Sequence, residues 1–180
     1  MLKTRAECVK EYGSDYYINQ LVEDGKLFRI EKGILSDEEH IPELAVLSYK
    51  YPKAVITMDT AFYLYGLTDE VPGTCTMATK REAAPIADSR IKQIFMPAEL
   101  LDCGKVTMNY HGYDIQIFDQ ERMLIELMRY KSKMPFNYYK EIVGNYRRIL
   151  PKLNSEKIRD YAEAVPKSEK VIRTLRTEVY

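Results

Sequence analysis

Tryptophan is absent from this 180-residue chain, and its two histidines, His40 and His111, are far apart. The cysteines are few and odd in number: Cys8, Cys75 and Cys103, with no Cys-x-x-Cys or His-x-x-x-His pair. This spacing argues against a disulfide framework and a structural zinc site, and unpaired thiols fit a reducing compartment. No apolar run approaches the length of about 18 residues that a membrane helix needs, and the opening MLKTRAECVK does not read as a secretory leader. The cytoplasm is therefore the expected location. Gly-x-Gly-x-x-Gly, Walker-type and Gly-x-Ser-x-Gly motifs are also missing, which removes the usual sequence grounds for expecting an enzyme. No cofactor is expected.

With 46% hydrophobic and 30% charged residues, the composition is that of an ordinary globular protein, long enough for a small module and a medium one. Its net charge of zero is unevenly spread. Residues 1–40 carry 6 basic and 9 acidic side chains, and residues 41–119 carry 7 and 10. Residues 120–180 carry 14 and 8, so the positive field lies at the C-terminal end.

The stretch TRAECVKEYGSDYYINQLVEDGKLFRIEKGIL, residues 4–35, reads as helix, glycine turn, helix and hairpin. Gly13 suits the left-handed exit from the first helix, and Ser14 caps the second with Asp15 in its first turn. Ile18, Leu21 and Val22 form an apolar stripe, and a hairpin turns around Glu31-Lys32-Gly33. This order predicts a winged helix-turn-helix over residues 1–36, with its usual first helix curtailed. A small α+β cap on a larger domain would show the same pattern.

Ser36–His40 reads as a linker, and residues 41–180 as an α+β domain. Helices are expected from Pro42 to Lys50 and from about Thr57 to Tyr65. Strand-like runs follow at 74–79, 91–96, 105–110 and 113–118, the last two joined by the two-residue loop His111-Gly112. They predict a small, mainly antiparallel sheet. Asp119 then caps a helix over 120–130, and three more helices cover 135–150, 155–165 and 167–179.

For a DNA-reading helix the candidate contacts are Ser14, Tyr16, Tyr17, Asn19 and Gln20, since Asn and Gln can bond adenine through two hydrogen bonds. Lys26, Arg29 and Lys32 in and beside the wing are the candidate phosphate ligands. Arg122, Arg129, Lys131, Lys133, Arg147, Arg148, Arg173 and Arg176 form a candidate basic surface for an acidic partner. The head itself is acidic, so it should bind DNA weakly as a monomer, and a homodimer is admitted. Asp69-Glu70, and Asp114 with Asp119, are acidic pairs of a kind that metal-assisted phosphoryl chemistry uses, but caps and solvated turns account for them better.

Two blocks carry a family resemblance. LVEDGKLFRIEKGIL is similar to the wing of the AbiEi family of type IV toxin–antitoxin antitoxins, "Leu-x-Arg-Ile-x-x-Gly-Ile/Val-Tyr". YPKAVITMDTAFYLYGLTDEVP, residues 51–72, resembles that family's "Pro-x-Ala-Val-(Ile/Leu)-Ser…Ala-x-x-x-His-Gly-Leu-Thr-x-x-(Ile/Val)-Pro". The likeness spans most of residues 4–130. Leu35 stands where the wing Tyr is usual, and Tyr65 where the His is usual. The resemblance implies a cytoplasmic bacterial protein whose winged helix binds the operator DNA of its own operon. Its C-terminal domain would counter a nucleotidyltransferase-like toxin without forming a stable complex with it. Two alternatives stand beside this one: a protein-interaction module that does not bind DNA and, further behind, a nucleotide-acting enzyme.

Overall fold

A reciprocal cap starts the first helix. The Thr4 hydroxyl accepts the Glu7 N–H (3.2 Å), and the Glu7 carboxylate accepts the Thr4 N–H (2.6 Å). This fixes α1 (Arg5–Tyr12), which ends where Gly13 adopts φ +87° and returns its N–H to the Val9 carbonyl. Ser14 Oγ accepts the Tyr17 N–H (3.3 Å) and opens α2 (Asp15–Glu23). Three short strands complete the layout: β1 (Leu2–Thr4), β2 (Phe28–Glu31) and β3 (Ile34–Ser36), antiparallel in the order β1-β3-β2. Helix, turn, helix and wing are therefore present as expected. β1 is an addition that three residues are too few to signal.

The computed structural model describes all 180 residues and divides into two compact units. The first is Met1–Tyr51 with Tyr110–Tyr113; the second is Pro52–Asn109 with Asp114–Tyr180. In the first, alternation along β3 sends neighbouring side chains to opposite faces. Leu35 packs with Cys8, Ile18 and Leu27 beneath α1 and α2. Ile34 packs with Leu2 and Val46, the latter from α3 (Glu43–Lys50). The helix after the wing thus belongs with the head. The division falls at Tyr51, not in the linker expected over Ser36–His40, because the small sheet is buried on both faces. Tyr49 and Lys50 add polar ties, to Glu7 (2.8 Å) and Glu31 (2.9 Å).

The second unit runs through β4 (Val55–Ile56), α4 (Met58–Leu64), β5 (Cys75–Lys80), β6 (Ile91–Met96) and α5 (Ala98–Asp102). It continues with β7 (Lys105–Tyr110), β8 (Tyr113–Phe118), α6 (Gln120–Tyr130), α7 (Phe136–Ile149), α8 (Ser155–Ala164) and α9 (Ser168–Glu178). Short 3₁₀ turns at Lys131–Lys133 and Leu150–Lys152 flank α7. The five strands order as β6-β5-β4-β8-β7. This sheet is mixed: β4 pairs antiparallel with β5, while β5 with β6 and β4 with β8 run parallel. Gln93 secures the β5–β6 crossover by accepting the Ile86 N–H (2.8 Å) and donating to Thr79 (2.7 Å) and the Ala84 carbonyl (3.3 Å). Both residues of the His111-Gly112 loop have positive φ, as a type I′ hairpin turn requires.

Glu7 makes the cap of α1 sensitive to acid. The Thr4 N–H, then the Thr4 and Tyr49 hydroxyls, hold its carboxyl at about 2, against an ordinary 4.5. A carboxyl depressed in the folded state gives stability that is full above its unfolded value and lost as pH falls through its folded one. Chemical denaturation should therefore show stability declining between pH 4.5 and about 2, and Glu7→Gln should flatten that part of the profile. Equal slopes in the two proteins would remove Glu7 as the cause.

Candidate functional site

In α2 only Ile18 is fully buried, while Tyr16 and Tyr17 are 72% and 50% exposed. Asn19 and Gln20 are exposed as well, so four of the five candidate base-reading residues present side chains to solvent. The fifth, Ser14, uses its hydroxyl to cap the helix. Gln20 donates to the Tyr16 hydroxyl (3.2 Å), and Arg29 Nη2 donates to Asn19 Oδ1 (2.6 Å). That second bond ties the reading helix to the wing strand β2 and brings a predicted base contact together with a predicted phosphate contact. Lys26 follows the helix and lies 3.4 Å from Asp24, while Lys32 is exposed in the wing turn beside Gly33 (φ +83°).

Several of the head's carboxylates are held in internal ion pairs. Arg5 grips Asp15 through two nitrogens (2.8 and 2.7 Å), which neutralises the one acidic side chain in the first turn of α2. Lys3 pairs with Glu11 (2.6 Å), and the chain's amino terminus pairs with Asp37. Glu23 stays exposed on the reading helix.

Of the eight basic residues predicted to form one partner surface, one lies inside the protein and several of the others are engaged by neighbouring groups. Arg122 is completely buried and cannot meet a partner. Its Nε and Nη2 donate to Glu126 (3.0 and 2.6 Å), its backbone N–H meets Asp119 Oδ1 (2.8 Å), and the Phe118 ring lies 5.2 Å from the guanidinium. Arg129 is bound to the same Glu126 (2.7 and 2.9 Å). Lys131 and Lys140 both hold Glu178, the latter at 2.9 Å, and they lower its carboxyl pKa; Arg147 donates to the Glu178 carbonyl (2.8 Å). Arg148 donates to Asn145 (3.1 Å). Lys133, Arg173 and Arg176 are exposed.

Sequence reasoning missed the hub at Asp119. One carboxylate oxygen caps α6, and the other accepts Lys157 Nζ and the Tyr161 hydroxyl, both at 3.1 Å. Gly104 packs against it: a Cβ there would lie 2.6 Å from Arg122 Cβ. The signal was present in MLIELM, residues 123–128, where apolar side chains surround the helix and so bury an Arg and a Glu four residues apart.

The 51–72 block is largely structural. The Tyr65 hydroxyl donates to the Phe118 carbonyl (2.8 Å), and Asn145 donates to the Leu67 carbonyl (2.9 Å). Burial pushes the Tyr65 hydroxyl pKa well up. The block also lines a cavity of about 550 Å³ through Met58, Asp59 and Glu70, together with Lys92, Tyr130 and Tyr138. Met58 there has φ +47°, a left-handed backbone rare for a side chain of its size.

No protein-family model matches the sequence, and no curated protein does. Among solved structures the chain is similar to the RV2827C protein from Mycobacterium tuberculosis, with a TM-score of 0.65 and 13% identity. The match covers 99% of this chain and 72% of that one. At this identity the likeness is one of fold alone. No helix is long and apolar enough to cross a membrane.

The buried network predicts a strong asymmetry between single and double replacement. Glu126→Ala strands the Arg122 charge and should cost about 3–5 kcal/mol in denaturant unfolding. Arg122→Met with Glu126→Leu removes both fully buried charges, leaving only the part-exposed Arg129 without its carboxylate, and should recover most of that loss. A double variant no more stable than Glu126→Ala would contradict the pairing.

Proposed function

We propose that the chain is a DNA-binding autorepressor and antitoxin of the type IV toxin–antitoxin kind, opposing a nucleotidyltransferase-like toxin and doing no catalysis itself. The observation carrying the DNA-binding half is the bond from Arg29 to Asn19, which couples an exposed helix to its wing. A recognition helix inserts its N-terminal residues into the major groove while the wing meets the backbone. Tyr16, Tyr17, Asn19 and Gln20 then face the bases, and Arg29 and Lys32 the phosphates. The antitoxin half rests on the likeness of residues 51–72 to the AbiEi block.

A second reading draws on the same exposed tyrosines: an acidic head displaying Tyr16 and Tyr17 also suits a basic protein partner. Co-elution with the neighbouring gene product in high salt would favour that reading, because screening weakens phosphate contacts.

Gel shifts with the DNA upstream of the chain's own operon test the repressor. A sequence-specific complex should form at low salt. Arg29→Ala with Lys32→Ala should weaken binding to all sequences and reduce the slope of log affinity against log salt by about 2. Asn19→Ala should instead erode the preference for operator over random DNA. Absence of any preference, with no effect of the wing substitutions, would overturn the repressor. Co-expression with the adjacent toxin gene tests the other half: growth should be restored by residues 52–180 without the head.

A further inference from the structure

Glu126 is one carboxylate serving two guanidiniums. Its Oε1 accepts from Arg122 and from Arg129, and its Oε2 accepts a second bond from Arg129. Asp119 does not make up the difference, because it meets Arg122 only through the backbone N–H and its other oxygen pairs with Lys157. The network therefore holds one more positive than negative charge, and Arg122 Nη1 finds no partner although it is fully buried. Withdrawing such an excess from water is costly unless an anion offsets it.

The outer guanidinium, Arg129, is one-fifth exposed and opens into a cleft of about 320 Å³. Tyr130, Ser132, Lys133, Lys167 and Lys170 also line it, and none of its lining residues is acidic. Four cations thus converge from α6, the 3₁₀ turn after it and the start of α9. Lys167 is held there with φ +62° and ψ +39°, a left-handed conformation in which lysine is uncommon. Mutual repulsion and backbone strain both oppose this arrangement in the empty cleft. A tetrahedral, multiply charged anion would reverse the sign of the first and use the second.

The cleft adjoins the larger cavity, since Tyr130 and Lys133 line both. On that side the walls change character: Tyr138 supplies an aromatic ring, and Glu70 and Asp59 supply acceptors, the latter 4.0 Å from Lys92 and bonded by the Tyr138 hydroxyl. Carboxylates there match the exocyclic amine of a nucleobase, as they do when they accept from cytosine N4. Together the two spaces are of the size that encloses a small cofactor-like molecule.

We propose that these adjoining cavities form a nucleotide site, with the phosphates among Arg129, Lys133, Lys167 and Lys170 and an amine-bearing base beside Tyr138 and Asp59. The inference does not depend on the head binding DNA. It is tested on the full chain carrying Arg29→Ala and Lys32→Ala, so that the head contributes no phosphate contacts. Titration calorimetry with ATP, adenosine, tripolyphosphate and a ten-nucleotide single strand separates the sources. ATP should bind, and more tightly than either adenosine or tripolyphosphate. Lys133→Glu with Lys170→Glu should weaken ATP by about tenfold or more without lowering the ligand-free melting midpoint, since both lysines are exposed and their repulsion in the empty cleft is relieved. Lys133→Gln with Lys170→Gln should weaken it less. No ATP binding, binding indifferent to the charge reversals, tripolyphosphate equal to ATP, or a single strand preferred over ATP would each overturn the nucleotide site.

Discussion

The second unit is organised around what a single carboxylate can hold. Asp119 sits at the junction where β8 becomes α6. Its backbone N–H donates to the Gly104 carbonyl (2.7 Å), one side-chain oxygen starts the helix, and the other anchors α8 through Lys157 and Tyr161. Four segments of chain therefore take their position from one residue. The constraint reaches further: with α6 started there, Arg122 has to point into the interior, Gly104 must lack a side chain, and Glu126 must lie one turn on to receive the guanidinium. The polar chain Asp119–Arg122–Glu126–Arg129 is thus fixed by backbone geometry, and the cleft at its outer end follows from it.

In the first unit the equivalent constraint is thinness. A three-stranded sheet with strands of three or four residues has no interior of its own, so β3 must be covered on both faces. α1 and α2 cover one and α3 the other. α3 lies across the wing sheet from the later side of the sequence, packing Val46 against Leu2 and Ile34.

How much was legible in the sequence tracks how local each cause was. Ser14, Gly13, Asp119 and the His111-Gly112 loop act within a few residues, and each was placed by its chemistry. Helix limits from α3 to α9 fell within a residue or two of those expected for the same reason, although α5, at five residues, was too short to register. The parallel pairing of β5 with β6 depends on a ten-residue crossover pinned by Gln93, which leaves no periodic trace. The allegiance of α3 was hidden because a polar stretch after Ser36 resembles a linker whether or not a domain ends there. Arg122 was assigned to the surface because charge was counted along the chain; only the apolar residues around it told of burial. Of the candidate DNA contacts, Tyr16, Tyr17, Asn19, Gln20, Lys26, Arg29 and Lys32 are accessible, whereas at the C-terminal end Arg122 is buried and Arg129 and Lys131 are engaged with Glu126 and Glu178.

Cys8 has a consequence of a different kind. Its thiol is wholly enclosed beneath α1 and α2, where burial raises its pKa, while Cys75 and Cys103 in the other unit are partly open. A thiolate is the reactive species, so an alkylating reagent meets Cys8 only when the helix pair lifts from its sheet. The head carries its own chemical clock for that opening, and anything that clamps α2 in place should slow it.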